Sequence, residues 1–351
     1  MAVKKINKKN IAKVLAVWRR EYNIIVPSMA TGVPAFSEWD GEDISFLDWY
    51  RNTAVPPKSV VLPPMEKMMS FRKEKDGYKT EVPVNEDKQI IFGIRPCDAK
   101  GLAIIDDVFT NGYEDYYYAS RRRNTLLIGL GCTNPQESCF CTSMDVDLAT
   151  SKDVDIMFND TGDEFIAEAF TAGGEYLLKI TTGLKNATST DMKTAKSVEL
   201  EAKNKLTRAL DTRGVSKKLQ ACFNNEDLWK QVAAKCVSCG ICTFLCPTCF
   251  CFDINDEMVR KQGARYREWD SCSFRLYTRM PMENPREEKW RRVRQRVCHK
   301  FEFYPMNVDI FACTGCGRCI RLCPVNWDIT RVIAGLPRQS DVKEKASALK
   351  G

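Results

Sequence analysis

Residues 235–256 read KCVSCGICTFLCPTCFCFDIND and place six cysteines, Cys236, Cys239, Cys242, Cys246, Cys249 and Cys251, within sixteen positions. The first four follow C-x2-C-x2-C-x3-C, with Pro247 directly after. The pattern returns in CTGCGRCIRLCP, residues 313–324, as Cys313, Cys316, Cys319 and Cys323 before Pro324. Three thiolates spaced by two residues on a wrapping loop reach three corners of one cubane, and in two-cluster ferredoxins the fourth serves the other cluster. The spacing therefore predicts two [4Fe–4S] sites with crossed ligation. One takes Cys236, Cys239, Cys242 and Cys323; the other takes Cys313, Cys316, Cys319 and Cys246. Gly240 and Gly317 let the backbone come close. Zinc sites normally use separated C-x2-C pairs rather than triplets.

The rest of the composition agrees. The 351 residues include seventeen cysteines and one histidine, His299. Disulfide frameworks belong to small secreted domains, whereas dense cytosolic cysteines are more often metal ligands. A single histidine nearly removes imidazole ligation and His-based catalysis, and His299 itself is expected at the surface or in a hydrogen bond. No apolar run approaches membrane-spanning length, and no apolar segment follows the basic start, so a cytoplasmic, soluble protein without a membrane span is expected. The formal charge of +7 counts every cysteine as neutral. A four-thiolate cluster carries about −2 when oxidised, so the basicity reads as compensation for buried negative charge. A nucleic-acid partner is not expected: the basic stretch 286–300 has little aromatic interleaving beyond Trp290, and reads as a solvated helix face or a docking surface.

Along the chain, Ile11, Val14, Leu15 and Trp18 share one helical face, with Asn10 placed to cap it. KQIIFGIRPCDAKGLAIIDDVF (88–109) reads as a buried strand ending near Cys97, then a turn and a helix. NTLLIGLGC (124–132) is a second buried strand ending at Cys132, and VDIMFNDTGDEFIAEAF (154–170) is a hairpin. The texture changes to charged and helical near residue 190. About 66 residues separate Cys246 from Cys313, too many for a compact βαβ ferredoxin, and DEMVRKQGARYREW (256–269) and EEKWRRVRQRV (287–297) have helical texture. The expected fold class is an α/β N-terminal domain followed by an α-helical ferredoxin-like domain with two [4Fe–4S] motifs. Its boundaries are 1–190 for the α/β domain, 191–232 for a helical connector, 233–335 for the dicluster domain and 336–351 for a tail.

Cysteines remain. Cys249-Phe-Cys251 is echoed by Cys139-Phe-Cys141, and residues i and i+2 of an extended segment face the same way. Both buried strands could deliver Cys97 and Cys132 to the rim holding Cys139 and Cys141, making four thiolates for a third iron–sulfur cluster or a zinc ion. Cys249, Cys251 and Cys272 make only three, with Cys298 or Asp253 as the available fourth ligand. Cys222 reads as a packing residue.

GIRPCDAKGL (93–102), GCTNPQESCFCTS (131–143), CPTCFCFD (246–253), REWDSC (267–272), ENPR (283–286), HKF (299–301) and CTGCGRCIRLCPV (313–325) together resemble the β subunit of soluble sulfhydrogenases. They equally resemble the iron–sulfur subunit of anaerobic sulfite reductase. The resemblance spans roughly residues 55–330. It implies an electron-transfer subunit with a flavin/NAD(P)H-binding subunit on one side and a metal-bearing catalytic subunit on the other, with the cluster ligands on the eight ferredoxin-type cysteines. Where that pattern often has a histidine before Asn-Pro-Arg, this chain has Glu283. The sequence offers no flavin or nucleotide fingerprint of its own, so it is not expected to be catalytic alone. The alternative is a reductase acting on a sulfur compound at an additional three-thiolate site.

Overall fold

The structure, a computed structural model, describes residues 3–29, 32–83 and 87–337. At its centre lie β6 (Gln89–Ile94, QIIFGI) and β7 (Thr125–Leu130, TLLIGL), paired in parallel. Continuous aliphatic runs of this kind suit parallel strands covered on both faces. β2 (Asn23–Ser28) and β8 (Ile156–Asp160) continue the parallel set on either side. Antiparallel strands finish the sheet: β3 (Ala35–Glu38) beyond β2, and β9 (Glu164–Ala169), β1 (Lys4–Asn7) and β10 (Lys185–Asn186) beyond β8. The order is β10-β1-β9-β8-β7-β6-β2-β3. Trp18, from the helix Ile11–Trp18, packs edge-on against Phe158 at 6.4 Å, and Phe158 against Phe92 at 5.6 Å. The cap lies one turn earlier than expected. A 3-10 turn precedes the helix, so Asn7 accepts from the Lys9 amide at 3.0 Å and Asn10 caps nothing.

A second, four-stranded sheet corrects the helical expectation for 256–269. β11 (Phe252–Val259) and β12 (Gln262–Trp269) form a hairpin, and β12 pairs with β4 (Met65–Glu74), which pairs with β5 (Gly77–Glu81). Glu, Met, Lys, Arg and Gln favour helix only weakly, and tertiary pairing overrides such preferences. Here the edge of β4 supplies the pairing and Arg267 fixes it. Its guanidinium is buried and donates to Glu66 Oε2 and to Asp115 Oδ2, both at 2.5 Å. The C-terminal part of the chain is therefore not all-helical.

Around the hairpin the texture is helical. The helix Ser189–Asn204 opens on a Thr188/Asp191 capping box and fully buries only Ala202. Helices Val215–Cys222, Glu226–Ala233 and Lys289–Cys298 enclose a second core that includes Leu219, Trp229, Val297 and Phe301. This region is joined tightly to the α/β sheet. Asp98, in the helix Pro96–Thr110, accepts from Arg318 at 2.5 and 2.8 Å, and both side chains have no solvent exposure. A Cβ at Gly101 would sit 2.7 Å from Pro247 Cβ, so this helix rests directly on the end of the first cysteine motif. Most of the 336–351 tail, from 338 onward, lies outside the described residues.

Candidate metal centre

The two motifs fold alike. Gly240 (φ 78) and Gly317 (φ 74) are left-handed and open one-turn helices, Ile241–Phe244 and Arg318–Arg321. A Cβ at Gly317 would fall 2.5 Å from the Ser138 carbonyl oxygen, so a side chain has no room there. Cys246, from the first motif, lies among the thiols of the second. Burial first, and then neighbouring charges that include Cys246, push Cys313 up to about 11 and raise Cys316 and Cys319. Cys246 itself is held well below the usual thiol range by a hydrogen bond from Cys249 and by the charges of Lys300 and Arg296. Lys300 Nζ reaches Cys246 Sγ at 3.3 Å, and Thr248 Oγ1 lies 3.1 Å from it. Within the first motif, Cys236 faces Cys242 and Cys239 and accepts from the Ser238 amide at 3.4 Å. Cys323 accepts from the Trp327 amide at 3.2 Å, while the Trp327 indole donates to Val232, just ahead of that motif. Of the seventeen cysteines, Cys239 alone is exposed.

The four remaining candidates of the α/β half also converge. β6 and β7 are parallel neighbours, so their carboxyl ends open on the same edge, where ligands of such sheets bind. Cys97 sits in the first turn of the helix after β6, not at the strand end, and Cys132 follows β7. The loop carrying Cys139 and Cys141 is not the extended segment expected: Phe140 has φ −142 and ψ 34, and a 3-10 turn follows. Both thiols nevertheless line one cavity with Cys97, Cys132, Arg95 and Cys316. Arg95 shapes the rim by donating to the carbonyls of Tyr50 (2.5 Å), Arg51 (2.6 Å), Leu130 (3.1 Å) and Gly131. The second motif is the floor. Phe140 N–H donates to the Gly315 carbonyl at 2.8 Å, and Cys139 Sγ lies 3.6 Å from the Cys316 carbonyl. Burial raises Cys97 well above the usual thiol range and pushes Cys139 and Cys141 to about 12. Such thiols keep their protons until a metal group displaces them.

Several donors in this region lack partners. Ser138 Oγ, Thr314 Oγ1 and all three guanidinium nitrogens of Arg296 are buried without a hydrogen bond. Buried donors normally find acceptors, and an anionic, sulfide-rich group held by the adjacent thiols would supply them. The donor set fits such a group. Among the described residues, no three His, Cys, Asp or Glu side chains form a group that could hold a single metal ion. Residues 235–327 match the family described as a 4Fe-4S dicluster domain. Over 301 residues the chain is 32% identical to sulfhydrogenase 2 subunit beta of Pyrococcus furiosus, covering 85% of this chain and 87% of that protein. The chain belongs to the sulfhydrogenase β-subunit family. No solved structure matches it, and no described helix is long and apolar enough to cross a membrane.

In this member of the sulfhydrogenase β-subunit family the second Cys-Phe-Cys meets a third group of thiols. Cys272 donates to Cys251 and brings it down to about 6, with Tyr277 also hydrogen-bonded to it, while Cys249 bonds to Cys246. Buried Lys58 donates to the Cys249 carbonyl at 2.7 Å and sits 4.2 Å from the Trp269 ring centroid. Neither expected fourth ligand joins them. Cys298 packs in the helical core with Cys222, and Asp253 stands exposed on β11. The Cys222 thiol donates to the Leu219 carbonyl at 3.5 Å. His299 is half-buried instead of surface-placed, edge-on to Phe250 at 5.8 Å, and burial brings it down to about 4.

The solvated-face reading of 286–300 is also corrected. Arg292, Arg296 and Lys300 recur every four residues and are buried. This inward row was missed from sequence, although the i, i+4 spacing of its cations was the available signal.

Proposed function

We propose that this chain is the electron-transfer subunit of a multisubunit oxidoreductase. It relays single electrons, with a flavin/NAD(P)H-binding subunit at one end of the path and a metal-bearing catalytic subunit, a reductase or a hydrogenase, at the other. The clusters, when bound, supply one-electron acceptance and donation. Cys236, Cys239, Cys242 and Cys323 hold one; Cys313, Cys316, Cys319 and Cys246 hold the next; Cys97, Cys132, Cys139 and Cys141 hold a third. Flavin and nucleotide chemistry belong to the partner.

The observation that carries this reading is contiguity. Cys239 is at the surface, Cys246 of the same motif lies among the thiols of the second motif, and Cys316 of that motif lines the third cavity. Three thiol groups in a row, linked by Cys246 and then by Cys316, give an electron short steps from one surface inward. The test is anaerobic purification of the native complex with identification of its partners. A flavin subunit together with a metal-bearing subunit should co-purify, whereas a chain isolated alone that reduces a sulfur compound with an artificial donor contradicts the reading.

A second reading, a reductase in its own right, is favoured by the convergence of Cys249, Cys251 and Cys272, which neither Cys298 nor Asp253 joins. It predicts substrate turnover by the isolated chain that disappears in Cys272→Ser.

A further inference from the structure

Arg296 is 4% exposed, and none of its three guanidinium nitrogens has a hydrogen-bond partner. A guanidinium does not shed its proton in proteins, and an unpaired buried charge is strongly destabilising. Something anionic must therefore face it in the functional protein. The surrounding thiols identify what. Burial works against the charge, and Cys242, Cys319, Cys249 and Cys246 favour it, in that order. On the same row, Arg292 one step earlier reaches Ser238 Oγ of the first motif at 3.4 Å and Lys300 one step later reaches Cys246 Sγ at 3.3 Å, so Arg296 lies between the two sites. Cys242 of the first motif and Cys319 of the second are the thiols that favour its charge most. Lys300, one step along the same row, is placed differently. Its ammonium is fully engaged at the second site, with Cys246 Sγ at 3.3 Å, Thr248 Oγ1 at 2.8 Å and the Ala312 carbonyl at 2.8 Å.

We infer that Arg296 is a counter-charge shared by both ferredoxin-type centres, whereas Lys300 serves only the centre that Cys246 completes. This rests on reading the two motifs as [4Fe–4S] ligands. A reduced cluster is one charge more negative than its oxidised form, so a nearby fixed cation stabilises the reduced form and raises the reduction potential. The low dielectric of the interior strengthens the effect. Arg296 is a positioning charge for electron flow: it raises both centres together and leaves the step between them unchanged. Lys300 adds a further rise at the inner centre and so sets the direction in which an electron from the Cys239 side prefers to move.

The test is spectroscopic redox titration of the full chain with its clusters, in the wild type, Arg296→Gln, Arg296→Lys and Lys300→Gln, with iron determined on each sample. Arg296→Gln should lower the electron affinity of two centres by about tenfold, which is about 59 mV for a one-electron couple. Arg296→Lys should keep both near wild type, and Lys300→Gln should lower only one. A centre held by Cys97, Cys132, Cys139 and Cys141 should keep its potential throughout. Full iron with unmoved potentials in Arg296→Gln overturns the inference, as does a shift in only one centre. If Arg296→Gln fails to hold iron, Arg296→Lys decides: retained iron and potentials support the charge role, and lost iron overturns it. A wild-type chain without clusters contradicts the ligand assignment itself, a different failure from unmoved potentials in a loaded chain.

Discussion

Cys139–Cys141 and Cys249–Cys251 share the tripeptide Cys-Phe-Cys, yet their surroundings differ. At the first copy, two parallel strands bring Cys97 and Cys132 to the same cavity, and Phe140 is buried against the helical core. At the second, the thiols meet Cys272, Tyr277 and the buried ammonium of Lys58, and Phe250 packs between Phe109 and His299. The tripeptide delivers two thiols in either place. Whether the set is completed depends on what distant chain segments arrive, and strand ends supply more than a hairpin base does.

Removing one thiol from each copy tests that contrast most severely. Cys139→Ser should lose one cluster's share of the iron and labile sulfide, whereas Cys251→Ser should retain the wild-type amount. Equal iron loss in both would make the copies equivalent and break the comparison. Next in size is the buried ion pair beside Cys97. Arg318→Met leaves Asp98 buried and unpaired, and should reduce stability by about 3–5 kcal/mol, read from denaturant unfolding. Adding Asp98→Asn should recover part of the loss; a single variant as stable as wild type contradicts the role given to the pair.

Gly315→Ala sharpens the comparison further, because Gly315 (φ 64) abuts only the first copy. Its Cβ would lie 2.6 Å from Cys141 Cα. A cost of about 1–3 kcal/mol is expected for the left-handed backbone alone, with loss of iron confined to the Cys139 side. The smallest effect lies away from both copies. Asp328 caps the helix Ile329–Ala334, accepting from the Thr330 amide at 2.8 Å and from Arg208 at 2.6 Å. Burial opposes its charge, but the Thr330 and Arg208 hydrogen bonds prevail and hold its carboxyl below the usual range. Its contribution is present above the ordinary carboxylate pKa and lost as pH falls through the lowered folded value. Asp328→Asn keeps a capping oxygen but loses the charge paired with Arg208, and should cost up to about 1 kcal/mol near neutral pH and show less additional loss on acidification. A loss that steepens in the variant would contradict the assignment.

Much of this was legible in the residues. The aliphatic runs at 89–94 and 125–130 announced buried strands, though not their parallel pairing, and Cys97 and Cys132 announced a shared rim. The hairpin expected over 154–170 is also present, as β8 and β9. The hairpin at 252–269 was not legible, because its strand character comes from pairing with β4, nearly two hundred residues earlier in the chain. The inward row of Arg292, Arg296 and Lys300 was hidden for a related reason. A cation-rich helix reads as solvated unless the cysteine motifs that face it, and the anionic group they would hold, are known to be there.

Whether the thiols of this chain hold a row of [4Fe–4S] clusters is read from iron and labile sulfide per chain, with EPR of the dithionite-reduced protein, prepared without oxygen. Three clusters predict about twelve irons and broadened signals from neighbouring reduced centres. About four irons or fewer, or magnetically isolated signals at full iron content, would contradict the account.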